Sequence, residues 1–246
     1  MAIQQTPRAD GSQRSEPKGS RAHSVYHALR RAIIEQALRP GMKLPEDAIG
    51  EQFGVSRTLV REALGRLAGE GLVELKPNKG ASVAYPTLEE ARDIFDVRRS
   101  LERLVVQSLA GRLTPQQLVT LEAHVRREDE AQGRDGPESI RLSGEFHILL
   151  AKMTGNALLE RYVQELSSRC SLILALYGRP HSSECAVSEH RQLIAALQHG
   201  DTEAAVTVME HHLEAVAARA VLAPRETSDI RQLLAPYARK KGAKSP

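Results

Sequence analysis

The chain has 246 residues, 41% of them hydrophobic, enough for two ordinary domains with real cores and too many for a disordered or fibrous protein. No apolar run approaches the roughly 18–20 residues that span a bilayer, and the polar start, Met1 to Ser20, lacks a secretory apolar stretch, so a cytoplasmic protein is expected. The net charge of +3 is unevenly spread: Met1–Tyr85 carries 13 lysines and arginines against 9 acids, Pro86–Ala223 carries 15 against 20, and Pro224–Pro246 is net +4. The basic ends suit a polyanion and the acidic middle does not.

Residues 1–22 mix Gly, Ser, Pro and charge without apolar periodicity and read as a disordered arm. From Ser24, the residues Val25, Ala28, Leu29, Ala32 and Ile33 fall on one helical face, and Arg39-Pro40-Gly41 stops that helix. A short helix from Glu46 to Phe53 ends at Gly54, and after Gly54-Val55-Ser56 a third runs from Arg57 to Glu70, with Ser56 placed to cap it. In the third helix Val60, Leu64 and Leu67 face inward, while Arg57, Thr58, Arg61 and Arg66 are left outward. Two β-prone segments, Leu72–Leu75 and Ala81–Tyr85, flank Lys76-Pro77-Asn78-Lys79-Gly80, which reads as a hairpin with a basic tip. Residues 23–85 thus form three helices plus a wing.

After Pro86 the pattern is helical only. Thr87-Leu88-Glu89-Glu90 and Thr114-Pro115-Gln116-Gln117 are capping-box starts, the first helix running to about Gly111. Further helices are expected at Glu138–Met153, Asn156–Tyr177, Val187–His199 and Thr202–Leu222, with Gly133–Pro137 and Gly178–Ser183 as loops. The fold class is therefore mainly α: a winged helix-turn-helix followed by a six-helix antiparallel bundle with kinks over residues 86–223, then a basic tail at 224–246. Cys170 and Cys185 match no paired metal or redox spacing.

A second helix of this kind reads DNA by presenting its N-terminal side chains to base edges in the major groove while basic neighbours grip phosphate. Arg57 and Arg61 stand one turn apart, and an arginine fork matches the guanine edge with about 1–3 kcal/mol of discrimination. Thr58 adds a methyl and a hydroxyl, and Lys76, Lys79 and the Gly80 amide can reach a neighbouring phosphate or the minor groove.

Gly-Val-Ser-Arg-Thr from Gly54, Val-Arg-Glu-Ala-Leu from Val60, Glu-Gly-Leu-Val from Glu70 and the basic hairpin closely resemble the winged helix-turn-helix of the GntR family of regulators, over about Val25 to Ala84. The resemblance implies Ser56, Arg57, Thr58, Arg61, Arg66, Lys76, Lys79 and Gly80 as DNA contacts. Where the family usually has a small polar or basic residue after the Glu that opens the second helix, this chain has Asp47, which cannot hold phosphate and is left out of the site.

Beyond Pro86 the chain is similar to the FCD effector domain of the FadR subfamily, on Asp96-Val97-Arg98-Arg99-Ser100-Leu101-Glu102, Glu145-Phe146-His147 with Thr154-Gly155-Asn156, and Glu189-His190 with His212-Leu213. In many such domains an Asp and three histidines hold a divalent metal, which with a nearby Arg binds a small carboxylate. His147, His190 and His212 match the histidines, while the Asp position, one turn before the first, is Ser143. A hydroxyl is a weaker ligand than a carboxylate, so zinc, nickel or manganese is expected at lower affinity, with a coordination position open to effector or water. Glu145 lies about 200° round the helix from His147 and is a poor substitute, and His211 points elsewhere. Arg98 is placed to pair an effector carboxylate, or to form a salt bridge with Glu102; Asn156 is a ligand contact or a helix cap.

The expected function is a homodimeric, metabolite-responsive regulator, most simply a repressor, on a pseudo-palindromic duplex, with an organic acid as effector. One alternative is a DNA-binding dimer whose helical domain is metal-free or senses nothing. Another, a metal-dependent hydrolase, lacks any His-Glu-x-x-His, nucleophile elbow or phosphate loop and has no use for a DNA reader.

Overall fold

The computed structural model describes residues 18–132, 136–178, 184–219 and 230. The N-terminal part is built from α1 (Lys18–Ile34), α2 (Glu46–Phe53) and α3 (Arg57–Gly69), followed by antiparallel strands β1 (Val73–Lys76) and β2 (Gly80–Val83). Leu29, Ile33, Leu38, Ile49, Leu64 and Leu67 are fully shielded in one core; burying each such side chain contributes about 1.5–3 kcal/mol. Gly54 closes α2 in the left-handed region, φ 65°, where a side chain would be strained. Ser56 stands at the N-cap of α3 with extended backbone, but its hydroxyl makes no capping bond, so the expected cap is corrected.

The helix start is corrected too. The first helix begins at Lys18, within the stretch expected to be disordered, because Ala22 lies one turn before Tyr26 and is buried with it. Residues 1–17 of the expected arm, and all but residue 230 of the expected tail, lie outside the described residues. The wing pairs Val73 with Val83 and Lys76 with Gly80. Sequence reasoning missed a third edge: Gly41, Met42 and Leu44 hydrogen-bond to β2 through Val83 and Ala81, anchoring the hairpin to the segment before α2.

The remainder is helical among the described residues: α4 (Leu88–Leu109), α5 (Pro115–Ala131), α6 (Gly136–Met153), α7 (Ala157–Tyr177), α8 (Glu184–His199) and α9 (Thr202–Ala218). Both capping boxes are present, with Thr87 and Glu90, and Thr114 and Gln117, each exchanging two bonds. α4 packs on α6, α7 and α9, while α5 packs on α6 and α8, and α8 on α9. Val106, Leu121, Phe146, Leu150, Val163 and Leu197 fill the space between them. The end expected near Leu222 lies outside the described residues.

The two parts touch through α6 and α7. Arg141 on α6 donates from Nε to Glu35 at 3.0 Å and also holds Glu138 and Glu145. On α7, Ser168 accepts from Arg30 at 2.6 Å, Leu172 enters the N-terminal core, and Arg169 packs over Gly71 at the end of α3.

Candidate metal centre and DNA-reading face

His147 on α6, His190 on α8 and His212 on α9 are all buried, and one ring nitrogen of each lies within 4.8 Å of the others. The sequence separation of 43 and 22 residues is closed by packing: each histidine occupies an inward position of its own helix, and Phe146 stacks on His190 at 3.9 Å between centroids and meets His147 edge-on.

Each imidazole is fixed from behind by a carboxylate. His147 Nδ1 lies 2.5 Å from Glu102 of α4, His190 Nδ1 lies 2.8 Å from Glu128 of α5, and His212 Nδ1 lies 2.6 Å from Glu189 of α8. Burial alone would raise the Glu102 carboxyl, but Arg98 and His147 outweigh it and bring it to about 2. Burial likewise opposes ionisation of Glu128, and His124 and His190 reverse the effect; Glu189 is lowered by its bond to His212. Ionised carboxylates only accept, so each Nδ1 carries the hydrogen. Burial drives His147 down to about 3 despite the attraction of Glu102, and it lowers His212 in the same way, so both rings are neutral near pH 7.

In the neutral His147 and His212 rings Nε2 then carries the lone pair. His147 Nε2 and His212 Nε2 face each other at 3.2 Å, and His190 Nε2 is buried with no hydrogen-bond partner. Facing lone pairs and an orphaned buried nitrogen are costly unless a cation lies between them. The donor set fits a divalent ion: three imidazoles whose far nitrogens are held by carboxylates are the arrangement that metal-binding histidines use.

Sequence reasoning missed Glu102 and Glu128 as the groups that aim the ring nitrogens. The available signal was an acid on an apolar face: Glu102 shares its face with Val105, Val106 and Leu109, and Glu128 with Leu121 and Val125. Glu128 also stands 3.3 Å from His124 Nε2, whose ring nitrogen contacts the Leu142 carbonyl at 2.9 Å.

Of the residues expected to contact effector, Arg98 is buried and its Nε donates to Glu102 at 2.5 Å, so the salt bridge is present, in the interior rather than on the surface. Burial opposes its charge, and Glu102 and Cys170 beside it more than restore it. Ser143 is half-buried on α6, one turn before His147. Asn156 is exposed and takes the helix-cap alternative: its Oδ1 accepts from the Leu158 and Leu159 amides, capping α7. Glu145 is bound to Arg141, and the His211 side chain is 75% exposed, 3.5 Å from Glu189.

On the face expected to read DNA, Arg57, Thr58 and Arg61 project from the start of α3 into solvent. Arg61 Nε donates to Glu46 at 2.8 Å, and Arg57 pairs with Asp47. Arg66 does not join them. It lies nine residues beyond Arg57, about 180° round the helix, and its guanidinium stacks 3.9 Å over the Tyr26 ring of α1. At the wing, Lys76 pairs with Glu74 at 2.7 Å, Asn78 and Gly80 adopt positive φ, and Lys79 and Gly80 are exposed at the turn.

The sequence profile described as "Bacterial regulatory proteins, gntR family" matches residues 21–83, and that of the FCD domain matches residues 93–215, half of the chain. The chain belongs to the GntR family of regulators, in the group that carries an FCD domain. Among relatives of this GntR regulator, the uncharacterized HTH-type transcriptional regulator YdhC of Bacillus subtilis is 29% identical over 73% of this chain and 82% of its own length. The HTH-type transcriptional repressor RspR of Escherichia coli K12 is 26% identical over 83% of this chain and 91% of its own. The solved structure of E. coli McbR/YncC is similar at a TM-score of 0.73 and 25% identity, covering 80% of this chain and 95% of that one. The GntR regulator is thus a DNA-binding transcriptional regulator and not an enzyme, which removes the hydrolase alternative. No described helix is long and apolar enough to cross a membrane.

Proposed function

We propose that this GntR regulator is a homodimeric repressor whose affinity for a pseudo-palindromic duplex is set by a divalent metal and a small carboxylate held in the helical domain. In this reading residues 23–85 read DNA and residues 86–223 sense and dimerise. The observation that carries it is the convergence of one ring nitrogen from each of His147, His190 and His212, each ring held by Glu102, Glu128 or Glu189. A divalent ion bound there supplies a fixed positive charge and Lewis acidity for a carboxylate. Ser143 in place of an acid leaves the site one negative charge short, which favours an anionic effector. Arg98, joined to His147 through Glu102, belongs to the same polar network, which in this reading responds to that effector's charge.

Repression is supported by the relative named a transcriptional repressor. Response of the reader requires that effector favour one placement of the two domains over another. Arg141 lies on the helix that carries His147 and bonds Glu35, just past the end of α1, so a shift of α6 bears directly on the reader. The test is fluorescence anisotropy of a duplex selected by the protein from a random pool, titrated with Zn²⁺ alone and with Zn²⁺ plus each of a panel of small organic acids. The proposal requires at least one metal–acid combination to change affinity about fivefold or more, the lower end of ordinary allosteric coupling. Identical affinity under every condition contradicts sensing and leaves a DNA-binding dimer.

A further inference from the structure

Asp47 cannot grip phosphate, yet the fold places it on the reading face. It stands in the first turn of α2, two-thirds exposed, in an ion pair with the Nε of Arg57, itself 65% exposed. The neighbouring acid, Glu46, holds Arg61 through the same nitrogen at 2.8 Å. Exposed pairs of this kind add little to folding. Their effect is on where each guanidinium points and on the field that an approaching duplex meets.

An arginine has five N–H donors, one on Nε and four on the two terminal nitrogens. A carboxylate on Nε occupies the inner edge of the fork and leaves the terminal pair directed outward. That outward pair is what spans O6 and N7 of guanine. Held on its inner edge, the side chain also loses less rotamer freedom when it binds. Sequence-independent affinity, by contrast, comes from cations meeting phosphates, and a carboxylate on the same face subtracts from it.

We infer that Asp47 is a specificity-determining positioning residue for DNA recognition: it aims Arg57 at a base edge and lowers binding to unrelated duplex. This rests on the reading that Arg57 meets bases. The structure gives Asp47 the opposite role to the phosphate-gripping side chain that the GntR resemblance leads one to expect there.

The test uses full-length protein, the duplex it selects from a random pool, and a scrambled duplex of the same composition. Dissociation constants are measured across a salt series for wild type, Asp47→Ala, Asp47→Glu and Arg57→Ala. Asp47→Ala should tighten binding to the scrambled duplex, steepen its salt dependence by up to about one unit of slope and lower the selected-to-scrambled ratio about fivefold to tenfold. A pool selection with this variant should show relaxed preference at one base position per half-site. Asp47→Glu, which keeps the charge, should restore the ratio, and thermal melting should be unchanged in both. An unaltered ratio and slope in Asp47→Ala, with Arg57→Ala still losing base preference, overturns the role of Asp47 alone. If Arg57→Ala keeps full base preference, or wild type selects no duplex, the base-reading assignment of Arg57 fails first and the inference falls with it.

Discussion

Glu128 accepts the Nδ1–H of His190 at 2.8 Å, and that bond fixes a ring that shares its buried space with His147 and His212. Removing the carboxylate's charge leaves the ring in place and weakens its hold. Glu128→Gln should therefore lower Zn²⁺ affinity about tenfold to a hundredfold, the usual cost of losing such a supporting partner. Competition against a chromophoric chelator measures this, with circular dichroism to show that the helices remain. Unchanged affinity would mean that Glu128 serves only to pair His124 and His190 in the core.

At the other end of the molecule, Gly71 ends the recognition helix at φ +70°, and a Cβ there would come 3.1 Å from Arg169 Nε of α7. Left-handed backbone costs an L-residue about 1–2 kcal/mol, and Arg169 would also have to move. Gly71→Ala should lose about that much stability in urea denaturation. A loss below about 0.5 kcal/mol would show that the seat of the reader on α7 is more yielding than this packing implies.

Lys79 stands exposed at the wing tip, beside a glycine at φ +75°. As a phosphate contact it should act uniformly across sequences. Lys79→Ala should weaken selected and scrambled duplexes alike and reduce the salt slope by about one. Loss confined to the selected duplex would instead assign Lys79 to base reading.

Tyr26 is buried between α1 and α3, where its hydroxyl donates to Glu70; burial first, and then that carboxylate, push the phenol up to about 12. The folded protein holds this proton more tightly than the unfolded chain, whose tyrosines titrate near pH 10. Its contribution to folding is therefore full below pH 10 and is lost as the pH rises toward 12. The difference in ultraviolet titration between wild type and Tyr26→Phe should show one phenol with a midpoint near 12. A midpoint near 10 would mean that the α1–α3 contact opens in solution.

Much of this architecture is legible in the residues. The inward faces of α1 and α3, the turn at Gly54, the basic hairpin and both capping boxes follow from periodicity and local chemistry, and the three histidines stood at positions that the FCD resemblance marked. What was not legible depends on which helices become neighbours. Glu102 and Glu128 appear in the sequence only as acids on apolar faces, and nothing local shows that His147 and His190 lie opposite them. Arg66 illustrates the converse: basic and outward by pattern, it is drawn to the ring of Tyr26, 40 residues earlier, away from Arg57 and Arg61. Asn156 is ambiguous in the sequence because one side chain suits a cap and a ligand equally, and at the start of α7 it serves as a cap.

The central claim is that the convergent imidazoles hold a metal. Metal content of the purified full-length protein, measured by mass spectrometry after equilibration with Zn²⁺ and removal of excess, tests it beside His190→Ala prepared identically. Wild type should hold about one ion per chain and the variant a small fraction of that. Wild type that retains no ion, or a variant that retains as much, contradicts it.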